Sequence, residues 1–310
     1  MNHAWRRILY RVGLVIGMML FARQLWAGIQ AIGEHSIHIV SPTMLVAACA
    51  LVAMTIGLQI LAWSSLMAGL GVRLPWHRIM WGYSVSFLPR YIPGNIWGYL
   101  SRSQWFSQNH NVSFAVTNGG SILEVLGITV SDGLWLGIYF SSHSGGSLQW
   151  AVLTTAILVP LVLGAILQRL PEWEHLAQRL PGYPRKWNVS LRLSLPMWLR
   201  VVGLYMILWL CYGAATFFLV GSLGFPNVGT LLEGTFVFGV AWLIGFLIVF
   251  VPAGLGVREV ALAGLLASTT DMTVGQADVV SVLFRFVVSF GELFWIGLGL
   301  IVQNGRPKRP

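Results

Sequence analysis

Nine charged residues lie inside stretches of sequence that are otherwise strongly apolar. They are Glu124, Asp132, Glu233, Glu259 and Glu292 on the acidic side, and Arg23, Arg90, Arg258 and Arg285 on the basic side. If those stretches cross a membrane, each charge costs about 2.5–3.5 kcal/mol at a helix centre. Together they would cost roughly 20–30 kcal/mol, more than the about 5–15 kcal/mol of net stability of a typical domain. We therefore expect these side chains to pair with one another or to line a wet cavity.

The arginines lie beside two breaks in the apolar sequence, and this placement predicts an anion site. Arg90 precedes the first break, in FLPRYIPGNIWGYLSR (87–102), and Arg258 follows the second, in VPAGLGVRE (251–259). Proline interrupts a helix, and a helix that restarts after the break presents unpaired N–H groups to the membrane interior. Helix N-termini and guanidinium groups together suit a phosphate group, and the neighbouring glycines let it approach the backbone.

The buried carboxylates predict a complementary role. Glu124, Glu259 and Glu292 could meet an amine on a head group or carry a coupling proton. Gly120, Glu124, Gly127 and Ser131 share one helical stripe with Asp132 near its edge, and Arg285 and Glu292 lie two turns apart on one face. The alternative is that each arginine pairs with an acid on a neighbouring helix only to hold the helices together.

The composition indicates what must position these residues. The chain has 310 residues, 56% hydrophobic and 9% charged, with a mean hydropathy of +0.74. Soluble chains carry roughly 25% charged residues, and apolar runs of about 20 residues are typical of membrane helices. We predict an all-α polytopic membrane protein with a single transmembrane domain over 1–310. Nucleotide-binding and common hydrolase motifs are missing from the sequence, so we expect a transporter rather than an enzyme, with no cofactor and no metal site.

About six full spans and two Pro/Gly-broken re-entrant hairpins are predicted. The spans are 9–31, which is read as a retained helix rather than a signal peptide, 42–68, 113–140, 148–168, 200–222 and 278–302. The broken hairpins are about 79–106 and 229–269. The loop 169–200 contains the amphipathic segment PEWEHLAQRL, which is expected to lie on the inner membrane surface.

The positions of Lys and Arg predict the orientation. Four connections, beginning at residues 32, 141, 221 and 268, contain neither residue, whereas both termini and the loop 169–200 are basic. By the positive-inside rule both termini are cytoplasmic, and the net charge of +9 reflects topology rather than nucleic-acid binding. The first hairpin then enters from the cytoplasm and the second from outside. Interrupted segments of opposite orientation are typical of inverted-repeat transporters, so an internal repeat is possible on this pattern.

Two motifs resemble those of a known family. VPAGLGVREVALAGLLA followed by SVLFRFVVSFGELF, together with YIPGNIWGYLSR, is similar to the transmembrane region of lysylphosphatidylglycerol synthases, the flippase-like membrane proteins. The likeness runs from about residue 9 to residue 302. By this resemblance the second motif comprises Pro252, Gly254, Gly256, Glu259 and Arg285, and the first comprises Pro93, Gly94, Gly98 and Arg102. Glu124 resembles the acid of the following helix, although Val125 stands where the family often has Arg.

The resemblance implies lipid translocation. Bifunctional members add a cytosolic domain that transfers lysine to phosphatidylglycerol, and this sequence contains no such domain, so synthesis is not expected. We predict a bacterial inner-membrane flippase that moves a phosphate-bearing head group of a phospholipid or polyprenyl-linked lipid. Such a protein should have a cavity open sideways to the bilayer at residues 90–102 and 252–259. The alternatives are a proton- or ion-coupled solute transporter, an intramembrane enzyme, and an accessory subunit of a lipid- or glycan-modifying enzyme. Possible protein partners are a second copy or a cytosolic lipid-modifying enzyme.

Overall fold

The computed structural model describes residues 39–92, 96–169, 192–226, 229–248 and 251–304, with single residues between 19 and 30. Within these ranges the chain is helical and contains no strand. The helices are α1 (Pro42–Gly69), α2 (Trp76–Ser84), α3 (Trp97–His110), α4 (Phe114–His143), α5 (Gly146–Arg169), α6 (Leu195–Ser222), α7 (Leu231–Leu247), α8 (Val257–Thr269) and α9 (Val274–Asn304).

Five of the helices are long and apolar enough to cross a membrane. They are α1, α4, α5, α6 and α9, with mean hydropathies between 1.4 and 2.3 over their most apolar windows. Their positions confirm five of the six predicted spans, and the chain is a multi-pass membrane protein. The predicted span 9–31 lies mostly outside the described residues, and the segment 171–180 lies wholly outside them.

Both predicted breaks are present as short 3-10 turns between helices. In the first, α2 and α3 flank the turn Pro89–Tyr91; in the second, α7 and α8 flank the turn Pro252–Gly254. The second turn needs left-handed backbone, with φ of +50° at Ala253 and +67° at Gly254. Glycine tolerates this conformation, whereas an L side chain makes it costly. The prolines and glycines therefore place the two breaks, as their positions in the sequence predict.

The described residues divide into two compact units. Unit 1 contains those within Met1–Ile56, Phe87–Gly98 and Trp209–Trp295, and unit 2 those within Gly57–Ser86, Tyr99–Leu208 and Ile296–Pro310. Each unit has its own buried apolar side chains. Phe238 and Val280 are among those of unit 1.

Unit 2 brings its helices together through small residues and large aromatic ones. A Cβ added at Gly137 of α4 would come within 2.5 Å of the Cβ of Ala156 in α5, so glycine sets this close approach. Trp63 and Trp198 are fully buried, and the Trp198 indole donates to the Pro160 carbonyl at 2.9 Å. Pro160 lies inside α5 and has no backbone N–H to donate, and the Trp198 indole ties its carbonyl to α6.

Candidate functional site

In unit 1 a buried ion pair joins the helix that follows the second break to the last long helix. Glu259 lies in the first turn of α8, where its Oε2 accepts the Gly256 N–H at 2.5 Å and caps the helix. Its Oε1 lies 3.6 Å from Nη1 of Arg285 in α9. Both side chains are buried. The glutamate therefore holds the start of α8 and neutralises an arginine at the same time.

A second pair in unit 1 ties the first break to the same long helix. Nη1 of Arg90 lies 3.2 Å from Oε1 of Glu292, and the Tyr91 hydroxyl donates to Oε2 at 2.9 Å. The Arg285 guanidinium lies 5.4 Å from the centre of the Tyr91 ring. The shared face of Arg285 and Glu292 thus carries two separate ion pairs. Tyr91 links them, because its hydroxyl contacts Glu292 and its ring contacts Arg285. Arg90 was expected to bind a phosphate, but in this conformation its guanidinium is paired with the carboxylate of Glu292.

Arg258 completes a cluster with excess positive charge. Its guanidinium lies 4.5 Å from the centre of the Phe238 ring, and no carboxylate in the described part of the chain forms an ion pair with it. Nη2 of Arg285 is buried and has no hydrogen-bond partner among the described residues. Among the described residues of unit 1, three guanidinium groups therefore face two carboxylates, and one positive charge has no counter-charge there.

The space at this cluster is small. A cavity of about 10 Å³ is lined by Arg258, Glu259, Leu262, Ser281, Phe284, Arg285 and Val288. That is about the volume a single water needs, and a phosphate group is several times larger. This cavity is too small for a phosphate group, so a head group could enter it only after a change of conformation, and the cavity expected to open sideways to the bilayer stays a prediction.

Unit 2 contains a different and more completely neutralised ion pair. Nη2 of Arg102 in α3 lies 2.5 Å from Oε2 of Glu124 in α4 and also donates to the Ser121 hydroxyl at 2.6 Å. The Tyr83 hydroxyl donates to the other carboxylate oxygen. The guanidinium lies 4.5 Å from the ring centres of both Trp63 and Tyr83. With 1% of Arg102 and 2% of Glu124 exposed, this pair is sealed among aromatic rings.

The two halves of the sequence each contain an ion pair between corresponding helices, with the positions of the acid and the arginine exchanged. In each, the helix that follows a break carries one member of a buried pair, and the next long helix carries the other. The first pair is Arg102 with Glu124, and the second is Glu259 with Arg285. This arrangement places one pair in each of the two motifs suggested by the resemblance, and the internal repeat stays a prediction.

The remaining site residues from the sequence lie at or near the breaks. Pro93 and Gly94 fall outside the described residues, Gly98 lies in the first turn of α3, and Pro252 begins the second 3-10 turn. Gly254 and Gly256 both have positive φ, at +67° and +77°. Sequence reasoning missed Tyr83 and Tyr91, although both lie within the predicted first hairpin, and it did not count Arg102 among the buried charges.

Four of the nine charges in apolar sequence are not in an ion pair with a described residue: Arg258, as given above, and Glu233, Arg23 and Asp132. Glu233 caps α7: its Oε2 accepts the Thr230 N–H at 2.6 Å, and its own N–H donates to the Thr230 hydroxyl. Arg23 is exposed. Asp132 is buried, and neither carboxyl oxygen has a hydrogen-bond partner among the described residues. The expectation that all nine would pair or line a wet cavity is therefore wrong for Glu233, which has a capping role.

Gly254→Ala is expected to destabilise the protein. A Cβ here would lie 3.1 Å from backbone atoms of Gly245, and the left-handed φ adds roughly 1–2 kcal/mol of strain. We expect a lower melting temperature in detergent micelles, with about 2 kcal/mol lost in all. Gly264→Ala in α8 is the control, because its Cβ would meet no atom within 4 Å and alanine favours a helix by up to about 1 kcal/mol. Equal melting temperatures for the two variants would contradict this account of the second break.

The comparisons with known proteins agree with the motifs. A family model described as the lysylphosphatidylglycerol synthase TM region matches residues 8–293. The match includes both breaks and the three ion pairs of the described residues. No curated protein matches the chain.

Proposed function

Because this chain belongs to the family of the lysylphosphatidylglycerol synthase transmembrane region, we propose that it moves a lipid with a phosphate-bearing head group across the membrane. The family supports a function related to membrane lipids, and translocation is the specific activity that we infer. We place the protein in a bacterial inner membrane with both termini in the cytoplasm, as the distribution of Lys and Arg predicts.

The observation that carries this proposal is the uncompensated positive charge in unit 1. Arg258 lies against the Phe238 ring and forms no ion pair with a described carboxylate, and Nη2 of Arg285 has no acceptor within the described residues. A buried cation without a partner is costly, so the cluster has a built-in preference for an added anion. A phosphodiester carries one negative charge and several acceptor oxygens, which matches one excess charge and two guanidinium groups.

Binding would require an exchange of carboxylate for phosphate. Glu259 lies against Arg285 at the start of α8, where an anion would gain most from the helix N-terminus. The cavity of about 10 Å³ admits no head group until Glu259 or its helix moves. We infer that the described conformation is the closed state and that the arriving phosphate replaces the carboxylate as the partner of Arg285. The acyl chains would remain in lipid.

The pair Arg90–Glu292 would respond to the same event. The Arg90 side chain is 33% exposed, more than any other member of the three ion pairs. It is therefore the member most accessible to an incoming anion. Tyr91 contacts both Glu292 and the Arg285 guanidinium. A movement of the Glu259–Arg285 pair would therefore displace Tyr91 and change the Arg90–Glu292 pair.

A transporter of a small soluble anion is the second candidate. The observation that favours it is the small volume of the cavity at Arg258 and Arg285, which resembles a closed pathway more than a groove for lipid. The cluster would bind the same phosphate chemistry in either case. The two candidates differ in whether the phosphate is attached to a lipid, and one experiment separates them.

Arg258→Gln is expected to slow lipid movement by roughly tenfold to a hundredfold, because a hydrogen bond to a charged group contributes about 1.5–3 kcal/mol. Purified protein in liposomes would be tested with fluorescent phosphatidylglycerol, phosphatidylethanolamine and polyprenyl phosphate, and dithionite would report which leaflet holds the label. Arg200→Gln is the matched control, since Arg200 is an exposed arginine of α6.

Three results are informative. Movement of one lipid class that is lost in Arg258→Gln and kept in Arg200→Gln would support the proposal. If folded protein moves none of the lipids but exchanges radiolabelled inorganic phosphate, a soluble-anion transporter replaces it. If Arg258→Gln moves lipid at the wild-type rate, the cationic cluster is not the head-group site.

A further inference from the structure

Asp132 differs from every other buried carboxylate in the described part of the chain. It lies in the middle of α4 with 1% of its surface exposed, and neither oxygen has a hydrogen-bond partner there. The buried acids Glu124, Glu259 and Glu292 each have an arginine and a further donor. Among the described residues, none is paired with Asp132 in a way that would balance a negative charge.

The polar groups nearest to Asp132 in sequence are turned to other partners. The Ser131 hydroxyl donates to the Ile128 carbonyl at 2.9 Å, and the Trp135 indole donates to the Met206 carbonyl at 3.0 Å. An isolated carboxylate in a dry interior is so unfavourable that the group takes up a proton instead. Burial without a partner is thus an environment that favours the neutral acid over the carboxylate.

The other titratable groups of unit 2 do not supply a partner. Those whose side chains the structure describes on the helices of this unit are His77, Arg78 and Tyr83 of α2, Tyr99, Arg102 and His110 of α3, Glu124, Tyr139 and His143 of α4, and Arg200 and Tyr205 of α6. None of them forms a hydrogen bond or an ion pair with Asp132. The nearest acid on the same helix, Glu124, lies eight residues away, about 12 Å along the axis, and is held by Arg102.

We propose that Asp132 is a proton-binding site that couples protonation to the opening of the protein. The proton comes from water when α4 is wetted, and it is held on the carboxyl group while the surroundings are dry. Loss of the proton to water leaves an aspartate that only a hydrated conformation tolerates. Proton binding then favours the closed state, and proton release favours the open state. By linkage, closing of the protein must in turn favour proton binding, and opening must favour proton release.

This coupling rests on the proposed function, because it gives lipid movement an energy source. It also reassigns a role: the glutamates that the sequence suggested as proton carriers are each committed to an arginine. Asp132 is free to titrate without breaking an ion pair. A proton gradient would therefore bias the exchange of open and closed states through this residue.

The first test detects the proton directly. Infrared spectra of the full-length protein in lipid should contain the C=O stretching band of a buried protonated carboxylic acid, and Asp132→Asn should remove that band. Asparagine has the shape of a neutral aspartic acid, so the variant should fold. Asp271→Asn is the control, because Asp271 is an exposed aspartate and its substitution should leave the band unchanged.

The second test measures coupling in the same proteoliposomes. A pH gradient should accelerate movement of the fluorescent lipid by wild-type protein and by Asp271→Asn, and this acceleration should be lost in Asp132→Asn. A band that persists in Asp132→Asn, or an acceleration that survives the substitution, overturns the proposal while lipid movement by the wild type stands. If the band disappears in Asp132→Asn but wild-type protein moves no lipid, the proton site is supported and the proposed flippase activity fails.

Discussion

Glu124→Gln is expected to lower the free energy of unfolding by about 3–5 kcal/mol, because it leaves a buried guanidinium without its counter-charge. Arg102 is 1% exposed and enclosed by the Trp63 and Tyr83 rings, so water cannot replace the lost carboxylate. Glutamine keeps nearly the same shape and still accepts from Tyr83, so the change isolates the charge. Denaturant titration in mixed micelles, followed by tryptophan fluorescence, measures the difference.

A double substitution and a control define this effect. Arg102→Met together with Glu124→Gln should recover most of the loss, since removing both charges leaves no ion to compensate. Glu233→Gln should cost less than about 1 kcal/mol, because glutamine preserves the capping box of α7. A double variant that is no more stable than Glu124→Gln would show that the loss arises from shape rather than from charge.

Glu259→Gln is expected to destabilise the protein by a similar amount, about 3–5 kcal/mol, and to abolish lipid movement. The glutamine can still accept the Gly256 N–H, so the start of α8 remains capped. Arg285 loses its counter-charge, and the cluster gains a second uncompensated positive charge. The melting temperature in maltoside micelles and the fluorescent-lipid assay in liposomes measure the two effects.

Anionic lipid should rescue the stability of this variant. A ligand that binds only the folded state raises stability by RT ln(1 + [L]/Kd), so the tighter site of the variant should gain more. We expect phosphatidylglycerol to raise the melting temperature of Glu259→Gln more than that of the wild type, with no extra gain for Glu233→Gln. Equal gains in all three proteins would mean that Arg258 and Arg285 do not bind the lipid phosphate.

The sequence determined where the chain crosses the membrane and where it breaks. Apolar runs of about 20 residues leave a helix as the only structure that satisfies its own backbone in lipid, so five spans appear within a few residues of their predicted ends. Proline and glycine act locally, and both breaks fall where they occur. Membership of the family follows in the same way, since its motifs are contiguous in sequence.

The sequence also identified most members of the ion pairs, but not which residue pairs with which. Arg285 and Glu292 share a face of α9, yet each bonds to a residue from a different break, and Tyr91 and Glu292 are separated by 201 positions. Arg102 was predicted as a residue of the first motif but not as a buried charge, because α3 is rich in polar residues. The periodicity of a helix predicts which of its residues share a face. It does not predict towards which neighbouring helix that face is turned.

Only the tertiary structure separated the five acids in apolar sequence by role. Glu124, Glu259 and Glu292 are ion-paired, Glu233 caps a helix, and Asp132 has no partner among the described residues. In sequence all five are single acids in apolar surroundings. Whether such an acid is charged or neutral depends on atoms within about 4 Å of its oxygens, and those atoms come from helices far away along the chain. Local sequence places each acid within an apolar stretch, and the packing of distant helices determines which group, if any, pairs with its carboxylate.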